Sequence, residues 1–147
     1  MSASKQLIDL LKSFEGLRLT AYQCSAGVWT VGWGTTRYPN GSVVKPGDVI
    51  SNAFAEECLA NDLKKFTAAV FAFVSNKLNQ NQFDALVDFC YNLGENALKK
   101  STLLQKVNTN SADPSIEAEF MKWVFVNGRK SAGLARRRQA EVYLYFS

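Results

Sequence analysis

The chain has 147 residues, 47% of them hydrophobic and 20% charged, which excludes a mainly disordered polypeptide and suits one folded domain whose core needs no cross-links. Its 17 Lys and Arg against 13 Asp and Glu leave a net charge of +4, a mild excess that favours anionic surfaces without choosing among envelope, membrane headgroups and nucleic acid. Histidine is absent, which excludes Ser-His-Asp and Cys-His catalysis, His-ligated zinc and imidazole acid/base chemistry. Proton transfer then falls to carboxylates, thiols, lysines and tyrosines.

In chain order, Leu7, Leu10, Leu11 and Phe14 follow helical spacing, so residues 3–14 are expected to form an amphipathic helix that Gly16 ends. The same N-terminal stretch carries Lys5, Asp9 and Lys12 and lacks the apolar run of a signal peptide or membrane anchor, so passage out of the cytoplasm is expected to depend on something else. The period then changes to two. Leu17, Leu19 and Ala21 alternate with Arg18, Thr20 and Tyr22, and Trp29, Val31 and Trp33 alternate with Thr30, Gly32 and Gly34, predicting a hairpin around a turn at residues 23–27. Residues 37–50, with Pro39, Asn40, Gly41, Pro46 and Gly47, read as a loop or irregular sheet edge.

From Ser51 the chain is expected to be helical almost to its end. Leu59, Leu63, Phe66, Val70 and Phe73 line one helix, and Phe83, Leu86, Val87, Cys90 and Tyr91 another, with Asn79 and Gln82 as its capping box and residues 92–94 as its end. Asp113 before Pro114 predicts an N-cap and first residue of a helix burying Ile116, Phe120, Trp123 and Val124, and a last helix should cover about 134–145. The expected class is α+β: a small N-terminal lobe with a hairpin and a larger all-helical C-terminal lobe. Cys24, Cys58 and Cys90 form no CxxC pair and are odd in number, so neither a disulfide framework nor a metal site is expected, and Cys58 and Cys90 fall on apolar helix faces.

Glu15 stands at the junction of the first helix and first strand, facing the negative end of the helix dipole, which favours the protonated form that a general acid needs. Cys24 and Thr30 follow in or beside the hairpin. Gly32 and Gly34 share a strand face with Thr30 and are expected to offer bare backbone to a flat polar ligand, although a strand glycine also marks a bulge.

These residues resemble the phage-type lysozymes, the muramidase endolysins of glycoside hydrolase family 24. That family's motif is Glu, eight residues, Asp or less often Cys, five residues, Thr, and this chain has Glu15, Cys24 and Thr30 at that spacing, followed by Thr30-Val31-Gly32-Trp33-Gly34. Phe83-Asp84-Ala85-Leu86-Val87, Asn92-Leu93-Gly94, Ser101-Thr102-Leu103-Leu104 and Gly133-Leu134 with Arg137, Arg138 and Glu141 are similar to its later helices. The resemblance implies a single lysozyme-like domain over 1–147, with lobes roughly 15–55 and 56–147 plus the helix at 3–14 and an active site in the cleft between the lobes. It implies hydrolysis of the β-1,4 bond between N-acetylmuramic acid and N-acetylglucosamine in peptidoglycan, with inversion and without metal or organic cofactor. Glu15 would be the acid, Cys24 the base or charge stabiliser, and Thr30 the group orienting water. Gly32, Asn92 and Arg137 would bind substrate or support the site, Arg137 pairing with Glu15.

Two departures stand out. Thr35 occupies the position of the family's usual His, removing an ion-pairing residue from the small lobe, and Cys24 replaces the commoner Asp. A thiol is mostly neutral at pH 7, so a base role needs local stabilisation of the thiolate, for which Arg18 and Arg137 are the candidates. Cys24 as covalent nucleophile, or as an inert residue, remains an alternative. Arg136, Arg137 and Arg138 also suit the solvated end of a helix, and Asn92 a plain C-cap. A lytic transglycosylase and a catalytically degenerate wall-binding protein are the competing functions. Nucleic-acid binding and stable membrane insertion are not expected. The resemblance further implies a monomer that waits in the host bacterial cytoplasm until a separate membrane-hole-forming protein releases it to the periplasm and cell wall, lysing the cell for phage release.

Overall fold

The computed structural model describes all 147 residues, which divide into two compact units, Ile8–Lys65 and Met1–Leu7 with Phe66–Ser147. Helix α1 (Lys5–Glu15) and helix α2 (Asn52–Phe73) contribute residues to both.

In the unit Ile8–Lys65, α1 ends where Gly16 adopts φ 69° and donates its N–H to the Lys12 carbonyl at 3.0 Å, a left-handed stop that glycine takes without strain. Strands β1 (Arg18–Gln23) and β2 (Trp29–Gly32) pair antiparallel, with Tyr22 opposite Thr30 and Arg18 opposite Gly32, so the register slips between those two pairs. The predicted hairpin is present, and its turn is closed by Cys24 N–H to Val28 O at 3.0 Å and Gly27 N–H to Cys24 O at 2.8 Å. Single bridges Thr20 to Val49 and Arg37 to Val43 make the following segment the irregular sheet edge that its Pro and Gly content suggested. Leu11, Val31, Trp33, Val44, Ile50, Ala55, Cys58, Leu59 and Leu63 are buried.

The other unit is built on helix α3 (Gln80–Leu93), whose residues Phe83 to Cys90 are all buried. A helix enclosed on every side belongs to the middle of a core, and any charge on it needs a partner. The capping box forms as expected: Asn79 Oδ1 accepts from Gln82 N–H at 2.8 Å and Gln82 Oε1 from Asn79 N–H at 3.0 Å. Short helices α4 (Glu95–Lys99) and α5 (Thr102–Thr109) follow, the second capped by Ser101. Phe89 meets Phe120 and Trp123 edge-on at 5.9 and 5.5 Å, and Phe120 meets Tyr145 at 5.7 Å, an aromatic cluster that ties α3 to the C-terminal segments.

Two expectations are corrected here. Helix α6 covers only Ile116–Met121 with Ser115 as N-cap; Asp113 instead turns its carboxylate onto Ser115, accepting from the backbone N–H at 2.9 Å and the hydroxyl at 2.8 Å, so Trp123 and Val124 lie beyond the helix. The C-terminal half is not uniformly helical, because β3 (Phe125–Val126) and β4 (Arg129–Lys130) form a hairpin around Asn127 at φ 50° and Gly128 at φ 77°. An Asn-Gly pair with both φ positive is a favoured two-residue hairpin turn. Helix α7 (Ala132–Tyr145) completes the chain.

Candidate active site

Glu15 is the last residue of α1, as the sequence placed it, at the helix end that Gly16 terminates. Cys24 is the first residue after β1, half-buried at the hairpin turn. Its thiol is held below its ordinary pKa, first by the backbone N–H of Val28, then by that of Ala26, with the Thr30 side chain adding to them; partial desolvation opposes the shift. The turn that Gly27 permits at φ 78° therefore aims two amides at one sulfur.

The expected arginine is not the cause. Arg18 lies over the Tyr22 ring, 4.4 Å from its centroid, and no cation contributes to the Cys24 shift. Thr30 is buried, and its Oγ1 lies 3.0 Å from the Val28 carbonyl, so its single proton is divided between that oxygen and the sulfur.

Gly32 does not offer open backbone. It is buried at φ 64°, and a Cβ there would stand 3.7 Å from Ala55 Cβ and 3.8 Å from Ile50 Cδ1, so it is a packing position beneath α2. Thr35 makes up for the absent His differently from what its size suggests: its buried hydroxyl donates to Asp62 Oδ2 at 2.7 Å, tying the segment after β2 to α2. Asp62 is pushed above its ordinary pKa by burial, with the Thr35 hydrogen bond opposing.

Asn92 and Arg137 belong to the other unit, and the run Arg136-Arg137-Arg138 is not a solvated helix end there. Arg136 is exposed, while Arg137 is 5% and Arg138 0% exposed. Arg137 donates through Nε to Asp88 Oδ2 and through Nη2 to Asp88 Oδ1, both at 2.9 Å, the forked geometry that suits guanidinium to carboxylate. Arg138 Nε lies 2.7 Å from Glu141 Oε1, and its Nη2 donates to Glu141 Oε2 at 2.9 Å and to Asn92 Oδ1 at 2.7 Å. Asn92 is thus not a helix cap; that place is taken by Gly94, whose N–H reaches Cys90 O at 2.8 Å.

Asp88 and Glu141 influence each other's ionisation. Burial raises Asp88, but the Glu141 and Arg137 hydrogen bonds and the neighbouring arginines outweigh it and hold the carboxyl low. Burial, with Asp88 adding to it, pushes Glu141 well above the carboxylate range. The two acids of the cluster are thus pushed in opposite directions, Asp88 downward and Glu141 upward. Asp88 was absent from the sequence-level candidates, although an Asp at i+4 from Asp84 inside an otherwise apolar run marks a buried charge in need of a partner. No group of three or more acidic or cysteine side chains is arranged to hold a metal ion, and no helix is long and apolar enough to cross a membrane.

The phage lysozyme family profile matches residues 12–141. Among curated proteins, the chain is 42% identical to an endolysin of Acyrthosiphon pisum secondary endosymbiont phage 1, covering 100% of this chain and 99% of that one. It is 35% identical to the endolysin of Salmonella phage P22, again over 100% and 99%. Among solved structures, an endolysin from Escherichia coli O157:H7 phage FAHEc1 superposes with a TM-score of 0.90 at 38% identity, over 100% of this chain and 94% of that one. The muramidase domain of SpmX from Asticaccaulis excentricus gives 0.86 at 34% identity, over 99% and 98%.

Proposed function

The chain belongs to the phage lysozyme family and is a muramidase endolysin, a glycoside hydrolase cleaving the β-1,4 bond between N-acetylmuramic acid and N-acetylglucosamine of peptidoglycan; we propose that it does so by inversion with Glu15 as general acid and Cys24 as base. Glu15 gives its proton to the glycosidic oxygen as that bond breaks, and the Cys24 thiolate takes a proton from the water that attacks the anomeric carbon from the opposite face, with Thr30 orienting that water. The observation carrying this assignment is the pair of amides and the hydroxyl at Cys24, which hold its thiol below the ordinary pKa without a histidine. A thiol left at about 8.5 would be mostly protonated at pH 7 and unable to accept.

Asn92 and Arg137 belong to the proposal as binding and supporting residues, and the protein acts as a monomer. It passes from the host cytoplasm to the wall through a membrane hole made by a separate protein.

Product analysis on purified peptidoglycan tests the chemistry. Reducing N-acetylmuramic acid released first as the α anomer is expected. A 1,6-anhydro product makes the protein a transglycosylase, retained configuration with a trapped glycosyl-enzyme makes Cys24 a nucleophile, and pelleting with the wall without loss of turbidity makes it a binding protein. Glu15→Gln should lower turnover by about 10²–10⁴-fold with the fold intact, since an amide has no acid proton to give.

A further inference from the structure

Asn92 is half-buried, with its two polar ends in different circumstances. Its Oδ1 accepts from Arg138 Nη2 at 2.7 Å, whereas no protein group accepts from its Nδ2. The amide orientation follows from chemistry: a guanidinium only donates, so whichever amide atom faces Arg138 must be the oxygen.

Arg138 has little freedom of its own. Its side chain is 0% exposed, bound to Glu141 at 2.7 and 2.9 Å, and its guanidinium carbon lies 5.2 Å from the centroid of the Phe89 ring. Beside it, Arg137 grips Asp88 with two hydrogen bonds. A buried cluster of two arginines and two acids is costly to assemble, and replacing such clusters with apolar residues is often neutral or stabilising. The fold alone does not require it.

We infer that Arg138 is a positioning residue for substrate binding: held by Glu141, it fixes the Asn92 carboxamide so that Nδ2 is presented to the glycan as a donor. The acceptor this selects is an oxygen lone pair of the sugar, a class to which the acetamido carbonyl and ring hydroxyls belong. The inference rests on the proposed muramidase function and on Asn92 as a glycan contact, and adds to them the direction of the hydrogen bond and the residue that imposes it.

Steady-state kinetics on soluble glycan fragments tests it. Asn92→Asp keeps an acceptor for Arg138 and replaces the donor with a second acceptor. Its thermal midpoint should stay at or above that of the parent, while KM rises about 10-fold, more than kcat falls. Arg138→Lys, which keeps a cation but cannot reach Glu141 and Asn92 together, should raise KM in the parent and add nothing to it when Asn92 is already Ala. A residue needed only for the fold would raise KM in both backgrounds.

An Asn92→Asp protein with KM within twofold of the parent overturns the inference. So does an Arg138→Lys effect that persists unchanged in the Asn92→Ala background. If Arg138→Lys does not fold, the Asn92→Asp measurement decides alone. A parent that releases no muramidase product overturns the proposed function instead, which separates the two failures.

Discussion

Asp88 and Glu141 are both buried acids beside buried arginines, yet they should respond in opposite ways to removal of charge. Asp88→Asn takes away a carboxylate that is held low among guanidinium groups, and leaves one acceptor oxygen where Arg137 now has two, so one of its two hydrogen bonds is lost. Breaking a buried pair from one side costs about 3–5 kcal/mol, which at about 3 °C per kcal/mol for a chain of this size lowers the thermal midpoint by about 9–15 °C.

Glu141→Gln keeps one oxygen for Arg138 but turns an amide NH2 onto the other of its two donors, so it should cost about 1–3 kcal/mol. The signs follow from linkage. Glu141 has a raised pKa in the fold, so its contribution is complete below its unfolded value of about 4.3 and is lost as pH rises toward the elevated folded value. Asp88 is depressed, so its contribution is present above about 3.9 and is lost as pH falls toward the lowered folded value. Raising the pH from about 4.5 to 7 should therefore shift the balance toward Glu141→Gln by up to about 1.4 kcal/mol per pH unit, while Asp88→Asn loses the parent's acid limb. Urea unfolding followed by tryptophan fluorescence at several pH values measures both. A Glu141→Gln difference that does not change with pH would refute the upward shift of Glu141.

Other outcomes are as definite. Thr35→Val removes the hydroxyl that donates to Asp62 at 2.7 Å; it should destabilise the fold by about 1–3 kcal/mol and move Asp62 further upward in a carboxyl NMR titration. Thr30→Val should shift the pH profile of Cys24 alkylation to higher pH, and total alkylation in the native state reports Cys24 because Cys58 and Cys90 are 0% exposed. Cys24→Ser should lyse walls poorly, since a hydroxyl stays neutral, whereas Cys24→Asp should retain activity and lose its sensitivity to alkylation; a Ser variant as fast as the parent over the same pH range would make Cys24 a bystander.

The elements whose signals are local were legible in the sequence. The α3 capping box, the first hairpin and the Gly16 stop each depend on residues within a few positions of one another. The β3–β4 hairpin was missed although Asn127-Gly128 announced it, because the surrounding helical periodicity was allowed to outweigh a turn signal of two residues. The α6 start was misplaced for a related reason: an Asp before a Pro serves a helix cap and an Asx turn equally well, and Ser115 tipped it to the turn. Three consecutive arginines look solvated in a sequence, and what buries two of them is a carboxylate 49 positions away on α3 for Arg137 and Glu141 one turn on for Arg138. Only the buried run of α3, with two acids in it, carried a hint of that arrangement.

The least legible part of the candidate site is also the part that explains its unusual residue. Cys24 was expected to need a cation, which would have been a side chain visible in the sequence. The stabilising groups are instead main-chain amides of Val28 and Ala26, whose identity as residues carries no signal; what matters is a turn that a glycine at φ 78° allows. An amide cradle of this kind favours negative charge on whatever atom occupies it. A carboxylate, already ionised at neutral pH, gains little from it in charge state, whereas a thiol is shifted toward its ionised form. The same turn can therefore carry either residue, and the exchange of Asp for Cys asks nothing new of the surrounding fold.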